Sequence, residues 1–142
     1  MYTYKAKVKR VIDGDSVVID IDLGFDTWLK DQSVRLHGID TPEVRTKDLL
    51  EKQHGQLAKA FVEKILPEGA EVAITTVKDD DKFGRVLGII RTRAGVDVSL
   101  ALLEERLAVP YDGTVSKDEI RNLHIINRDI LIFEKKINKN ES

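Results

Sequence analysis

Four carboxylates fall in two short turns of the sequence, where their oxygens could surround a metal ion. Asp13 and Asp15 enclose a single glycine, and Asp40 and Glu43 enclose a Thr-Pro pair. Hard cations such as Ca²⁺ bind carboxylate, carbonyl and water oxygens with loose geometry, and without a cation such clustered charges would repel one another. Each turn alone also has a structural explanation, because Asp-Gly favours turns and Asp-Thr-Pro-Glu suits a loop that enters a helix. The spacing indicates a candidate cation site but does not identify the metal.

Two arginines lie where a guanidinium could face those turns. Arg35 lies between two apolar residues of a segment that leads directly to Asp40, and Arg85 follows a glycine at the start of another strand-like stretch. A guanidinium keeps its charge at neutral pH and donates paired hydrogen bonds to phosphate oxygens. Beside a carboxylate-bound cation, the pair would suit a phosphoryl group that gains negative charge during attack. Taken singly, each arginine also fits an ordinary exposed position on a strand.

The other reactive residue types do not form a competing site. His37, His54 and His124 lack the clustered spacing of a zinc site, and His124 is expected to be a packing or surface residue of the last helix. The chain has no cysteine, which excludes disulfides and thiolate chemistry. It also lacks a glycine-rich phosphate loop of the nucleotide-triphosphatase type.

The composition is that of an ordinary folded protein. The chain has 142 residues, of which 42% are hydrophobic, and this length suits one domain. Its net charge of −2 is not typical of nucleic-acid binders, so such binding would depend on local charge. No stretch predicts a membrane span, and residues 1–10 do not resemble a signal peptide. A cytoplasmic location is therefore expected, or a secreted one if a leader has been removed.

A strand-rich first half would position the candidate residues. Polar and apolar residues alternate over 4–9 and 17–23, and the Asp-Gly pair between these stretches predicts a hairpin. A third strand is expected over 33–36, followed by a polar loop over 37–53. Helical spacing then begins at Gln56 and stops before a Pro and a Gly that end the helix.

Two more strands and two more helices complete the expected order. The strands are predicted over 71–77 and 85–91, a short helix is capped by Asp97 or Ser99, and a capping box at Ser116 opens the last helix. The inner faces of these two helices are expected to carry Leu100, Leu103 and Leu107, and Ile120, Leu123, Ile126, Ile130 and Phe133. Residues 138–142 are expected to form a frayed tail. The order predicts an α+β fold in one domain over 1–142, a five-stranded OB-fold β-barrel with three packed helices.

Three segments of the chain resemble the signature segments of the staphylococcal nuclease-like (thermonuclease) family. They are VIDGDS at 11–16, VRLHGIDTPE at 34–43 and DKFGR at 81–85, and they occur in the family's order at compatible separations. The resemblance covers roughly 5–110. It implies an OB-fold barrel and a calcium-dependent endonuclease that hydrolyses phosphodiester bonds of DNA and RNA, leaving 3′-phosphate ends. The implied partners are single-stranded or denatured nucleic acids, with the protein acting as a monomer and away from membranes.

The resemblance also implies a calcium site. Asp15 and Asp40 are similar to direct calcium ligands, with the main-chain carbonyl of Thr41 as a third ligand. Asp13 would support them through water. This donor set agrees with the oxygen ligands that calcium prefers.

Catalytic and substrate-binding roles are implied for five further positions. Glu43 resembles the residue that activates or orients the attacking water, while Arg35 and Arg85 resemble the pair that stabilises the transition state. Lys82 and Tyr111 are expected to bind substrate, the first through phosphate and the second by stacking on a base.

Two departures from the family pattern affect substrate binding rather than the reaction. Phe83 replaces a tyrosine whose hydroxyl could donate to a phosphate, and Arg106 stands at a helix end where the family often has glycine. The alternative interpretation is an OB-fold nucleic-acid-binding module without catalysis. The presence of every charged position of the implied site favours the enzyme.

Overall fold

The computed structural model describes residues 2–77 and 84–141, and a closed five-stranded barrel lies at its centre. In spatial order the barrel strands are β1 (Thr3–Asp13), β2 (Ser16–Asp22), β3 (Trp28–Leu36), β6 (Val86–Thr92) and β5 (Glu71–Thr76). Neighbouring strands are antiparallel except for β3 and β6, which are parallel. A separate two-stranded sheet pairs β4 (Ile39–Asp40) with β7 (Val109–Pro110).

The described residues form three α-helices outside the barrel, each with a capping side chain at its start. They are α1 (Leu49–Ile65), α2 (Val98–Glu104) and α3 (Lys117–Phe133). Asp48, Asp97 and Ser116 accept hydrogen bonds from backbone N–H groups of the first turns, which would otherwise lack partners. Across the described ranges, no helix combines the length and apolar character needed to cross a membrane. The predicted α+β fold, a barrel with three helices, is confirmed.

The apolar residues of the strands fill the barrel, and α1 closes one side of it. Ile19, Ile74 and Ile90 are fully buried inside the barrel, and Ala58 and Val62 of α1 join the same core. Burial of one such aliphatic side chain stabilises a fold by about 1.5–3 kcal/mol. The predicted hairpin of β1 and β2 is confirmed, with Asp13 paired to Ser16 across its turn.

Two boundaries differ from the sequence-based expectation. Helix α1 begins at Leu49 rather than Gln56, inside the segment that was expected to be a loop. Asp48 caps the additional turns through the N–H groups of Leu50 and Glu51, and the polar residues there conceal the helical period. Strand β3 begins at Trp28 and is longer than the apolar stretch that predicted it.

The expected inner faces of α2 and α3 were partly wrong. In α2, Leu100 is 56% exposed, whereas Leu102 is buried. In α3, Leu123, Ile126 and Phe133 are exposed, whereas Leu131 is buried in the core and polar side chains of the same face, such as His124 and Asn127, also turn toward the protein. Those side chains make specific hydrogen bonds, which a search for apolar periodicity does not detect.

Asn138, where the frayed tail was expected to begin, is hydrogen-bonded to α1. The backbone N–H of Asn138 donates to the Gln53 side chain at 3.1 Å, and the Gln53 amide donates to the Asn138 carbonyl at 3.0 Å. Ile137 is buried beside them, and a short 3₁₀ helix, Lys139–Glu141, follows. This paired hydrogen bond ties the end of the described chain to α1.

Candidate active site

The tip of the β1–β2 hairpin packs closely against α1 and brings Asp15 to the β4 loop. A Cβ atom at Gly14 would lie 2.8 Å from the Cβ of Ala58 and 3.1 Å from Cγ2 of Thr41, so only glycine fits without displacement. The N–H of Thr41 points at Oδ2 of Asp15 at 3.5 Å. The first and second signature segments therefore meet at Asp15 and Thr41.

Arg35 lies between the carboxylates of the two turns. Its Nη1 is 2.7 Å from Oδ2 of Asp15, and its Nη2 is 3.4 Å from Oδ1 of Asp40. The first contact is an ion pair rather than an aligned hydrogen bond, because Nη1 has no well-oriented acceptor among the described residues. Strand pairing explains the placement, since Arg35 lies opposite Ser16, which directly follows Asp15. Arg35 is only 14% exposed, so these charges interact with limited screening by water.

Arg85 reaches the same carboxylate through a serine. Its Nη1 donates to Oγ of Ser16 at 3.4 Å, and Ser16 in turn donates to Oδ1 of Asp15 at 3.1 Å. Arg85 directly precedes β6, and the parallel pairing of β6 with β3 sets Leu87 opposite Arg35. Arg35 therefore contacts Oδ2 of Asp15 directly, whereas Arg85 is linked to Oδ1 of Asp15 through Ser16. Lys82, the expected phosphate contact, and Phe83 lie outside the described residues.

Glu43 lies on a loop that rests on α1. A Cβ atom at Gly55 would lie 2.7 Å from the Glu43 carbonyl oxygen and 2.8 Å from that of Pro42, so the helix and the loop backbone are in close contact. The pKa of Glu43 is raised, first by desolvation and then by the negative charges of Asp15, Asp40 and Asp13 in that order, with a smaller contribution from Glu51. This effect indicates that the predicted carboxylates share one neighbourhood.

The donors of this neighbourhood suit a hard cation, although they are not arranged around one. Among residues 2–77 and 84–141, no three acidic or histidine side chains stand close enough to hold a metal ion. Asp15 and Asp40 direct oxygens toward Arg35, whose positive charge offsets the repulsion expected between them. Carboxylates with a nearby main-chain carbonyl at Thr41 are the oxygen donors that Ca²⁺ takes.

His124 is a site residue that sequence analysis assigned to packing or to the surface. Its Nε2 donates to Oδ2 of Asp40 at 2.8 Å, and its side chain is 14% exposed. Two neighbours on the same face of α3 also bind polar groups: Asn127 donates to the Ala108 carbonyl at 3.3 Å, and Arg128 lies 3.5 Å from the Asp48 carboxylate. Three polar residues on one helical face were the available signal.

An open cleft of about 820 Å³ begins at this cluster. Arg35, Asp40, Glu43 and Arg85 line it, so both arginines and two of the predicted carboxylates border one space. Tyr111 lines the cleft as well, and a hydrogen bond from its backbone N–H to the Gly38 carbonyl, 2.9 Å long, holds it there.

Comparison with known proteins places the chain in a family. The sequence profile of staphylococcal nuclease homologues matches residues 33–128. The chain belongs to this family. It is similar to thermonucleases of Staphylococcus intermedius, at 36% identity over 83 residues, and Staphylococcus hyicus, at 31% over 84 residues. These matches cover 58% and 59% of this chain and 46% of each thermonuclease, so the chain spans about half the length of these relatives.

A more distant relative matches along more of the chain. Endonuclease YhcR of Bacillus subtilis is 25% identical over 114 residues, which cover 76% of this staphylococcal nuclease homologue and 9% of that protein. The family match at 33–128 includes Arg35, Asp40, Glu43, Arg85 and His124. The hairpin that carries Asp13 and Asp15 precedes it, and the fold returns that hairpin to the same site.

His54 lies beside the candidate site of this staphylococcal nuclease homologue, and its ring contacts that of His124. It is buried, and its Nε2 donates to the Arg106 carbonyl at 2.9 Å. Burial lowers the pKa of His54 to about 4, so the ring is neutral at physiological pH. Arg106 has φ of +60°, a conformation that favours glycine, and the N–H of Leu107 closes the turn on the Leu102 carbonyl at 2.9 Å. Arg106 therefore takes a left-handed backbone conformation at the helix end where the family often has glycine.

Proposed function

We propose that this protein is a calcium-dependent endonuclease that hydrolyses phosphodiester bonds of DNA and RNA and leaves 3′-phosphate ends. The observation that carries the proposal is the meeting of two arginines at Asp15 beside one open cleft: Arg35 contacts Asp15 and Asp40 directly, and Arg85 reaches Asp15 through Ser16. A pair of guanidiniums next to hard oxygen donors suits a phosphoryl centre. The relatives named above, two thermonucleases and an endonuclease, agree with this chemistry.

The metal-binding role falls to the two turns. Asp15, Asp40 and the Thr41 carbonyl would hold Ca²⁺, with Asp13 supporting them through water. The bound ion would supply positive charge beside a non-bridging phosphate oxygen and so favour the build-up of negative charge on phosphorus. Calcium lowers the pKa of water only weakly, so the proton of the attacking water needs a protein base.

Glu43 is the residue best suited to accept that proton. Its pKa is raised by desolvation and by neighbouring carboxylates, which makes its ionised form a stronger base than an ordinary glutamate. The water oxygen forms a bond to phosphorus while its proton passes to a Glu43 oxygen. The bond between phosphorus and the 5′ oxygen then breaks, the 5′ oxygen takes up a proton from solvent water to become a hydroxyl, and the phosphate stays on the 3′ side. Arg35 and Arg85 donate hydrogen bonds to the phosphate oxygens as their charge increases.

The cleft favours substrates with an exposed backbone. Tyr111 lies on the cleft wall, where its ring would stack on a base, and Lys82 would bind a neighbouring phosphate. Single-stranded or denatured DNA and RNA should therefore be cut faster than duplex. All the proposed groups come from one chain, so a monomer suffices.

Separating metal binding from turnover tests the proposal. Calcium titrations by calorimetry with a bound nucleotide, together with cleavage assays, should be run on Asp40→Ala and Glu43→Ala. Asp40→Ala should lose calcium binding and cleavage, whereas Glu43→Ala should keep calcium binding and lose most of the turnover. Equal calcium affinity in the wild type and Asp40→Ala would remove Asp40 from the ligand set. Nucleic-acid binding without any cleavage would favour the non-catalytic module.

A further inference from the structure

We infer that His124 is a positioning residue that orients the Asp40 carboxylate for calcium binding. The inference rests on the proposed function, and it adds a residue of α3 to a site otherwise built from barrel strands and their loops. His124 and Asp40 are 84 positions apart in the chain, and the contact between them is 2.8 Å long.

The two oxygens of Asp40 are held very differently. Oδ2 accepts the short hydrogen bond from His124, whereas Oδ1 is 3.4 Å from Arg35, which also pairs more closely with Asp15. Backbone pairing of Asp40 with Val109 fixes the main chain but leaves the carboxylate free to rotate. His124 therefore provides the firmest hold on the orientation of the carboxylate.

The imidazole is itself fixed in one orientation. Its Nδ1 is buried and has no hydrogen-bond partner within the part of the chain that the structure describes. The hydrogen bond of the ring is therefore the one that Nε2 donates to Asp40. The edge of the ring packs against buried His54, with 6.1 Å between the ring centroids and an angle of 87° between their planes. The hydrogen bond from Asn127 to the Ala108 carbonyl docks the helix that carries the ring.

A fixed donor of this kind makes a carboxylate a better metal ligand. A carboxylate that is already oriented loses less freedom when it binds an ion, and its second oxygen keeps its hydrogen bond. Loss of such an outer partner typically weakens metal binding by about 10- to 100-fold. His124→Ala should therefore raise the dissociation constant for calcium by about that factor.

The test compares calcium affinity in variants of the full chain, with calcium chloride as the titrant in a calorimeter. His124→Ala and His124→Phe both remove the donor, and the phenylalanine keeps a ring against His54 should the alanine variant fail to fold. His124→Gln keeps an N–H donor near the same place and should recover most of the affinity. Arg128→Ala is the matched control, since it removes a contact of the same helical face with Asp48 rather than Asp40.

The expected pattern is weak calcium binding in both donor-less variants, recovery in His124→Gln and near wild-type affinity in Arg128→Ala. In cleavage assays, the calcium concentration that gives half-maximal rate should rise by the same factor in His124→Phe. Wild-type affinity in His124→Phe, or an equal loss in Arg128→Ala, would overturn the inference and leave the proposed function intact. Absence of calcium binding by the wild-type protein would instead overturn the proposed function.

Discussion

Nη1 of Arg35 lies 2.7 Å from Oδ2 of Asp15, so a proposed phosphate-binding group and a proposed calcium ligand are paired with each other. A cation at Asp15 would compete with Arg35 for the same carboxylate. Calcium binding would then weaken the hold of Asp15 on the guanidinium and make it available to a phosphate. The ion pair thereby couples the two binding events that the reaction requires.

This coupling predicts effects of opposite sign for Arg35→Ala. Turnover should fall by at least about 100-fold, because a donor to the developing negative charge is lost. Calcium affinity should rise by a few-fold, because a positive charge beside Asp15 and Asp40 is removed. Calorimetry and cleavage assays on Arg35→Ala measure both effects, with Arg93→Ala as a control, since Arg93 is highly exposed and pairs with Glu71. A fall in calcium affinity alongside turnover would contradict the proposed competition.

Gly55→Ala should impair the reaction through the position of Glu43. The new Cβ atom would lie 2.7 Å from the Glu43 carbonyl oxygen, and because this neighbour is backbone, the loop must move. A displacement of about 1 Å at a catalytic group can cost about 100-fold in rate. We expect a lower rate at saturating substrate with calcium affinity largely kept. Gln56→Ala, at the exposed neighbouring position of α1, should behave as the wild type; an unaltered rate in Gly55→Ala would show that the loop adapts.

Glu43→Gln should raise the melting temperature of the protein in chelator at neutral pH. Because the pKa of Glu43 is raised in the folded state, that state binds the proton more tightly than the unfolded chain. The stabilising contribution of the protonated carboxyl is present below the unfolded pKa and is lost as pH rises through the folded pKa. The gain from the substitution should amount to a few degrees at pH 7 and vanish in acid.

Asp15→Asn provides the contrast to Glu43→Gln. Repulsion among the carboxylates alone would predict stabilisation here too, but Asp15 is paired with Arg35, so its neutralisation should lower the melting temperature. Thermal melts of both variants across pH distinguish the two carboxylates. A rise for Asp15→Asn would show that repulsion outweighs the ion pair.

His54→Gln should make stability less sensitive to acid. Burial lowers the pKa of His54 from 6.5 to about 4. Between pH 6.5 and pH 4, His54 is therefore protonated in the unfolded chain and neutral in the folded protein. The contribution of neutral His54 to the free energy of unfolding is fully present above pH 6.5 and is lost as the pH falls toward 4. The total loss is roughly 3 kcal/mol, at 1.36 kcal/mol per pH unit. Glutamine does not titrate, yet it can donate to the Arg106 carbonyl. Urea unfolding at several pH values should show the two stability curves diverging; parallel curves would contradict the account.

Local pattern was enough to predict the strands that form the barrel, whereas the resemblance to the family named most of the candidate site residues. Alternation in β1 and β2 and the Asp-Gly turn between them predict the hairpin that bears Asp15. Arg35, Asp40 and Glu43 all lie within one short segment, 35–43. The contacts that the pattern did not predict join distant parts of the chain. The hydrogen bond from His124 to Asp40 spans 84 positions, and nothing local to either residue predicts it.

The start of α1 and the inner face of α3 were mispredicted for a related reason. Apolar periodicity identifies a helical face that packs on a core, but the first turns of α1 are held by the cap at Asp48. The inner face of α3 buries one apolar side chain, Leu131, and otherwise carries polar side chains such as His124 and Asn127, while Ile126 remains exposed. Polar side chains on the packing face of α3 are therefore the sequence feature that indicates this part of the candidate site.

The most direct test of the central claim is cleavage by the purified protein with calcium, magnesium or chelator. Single-stranded DNA, RNA and duplex DNA should each be incubated, and the ends of the products examined for a 3′-phosphate. We predict cleavage in calcium, and faster cleavage of single strands than of duplex. Magnesium should support little cleavage, because its octahedral geometry suits a loose loop site poorly. Chelator should abolish cleavage, and the products should carry 3′-phosphates. Intact DNA and RNA after incubation in excess calcium would contradict the proposed nuclease.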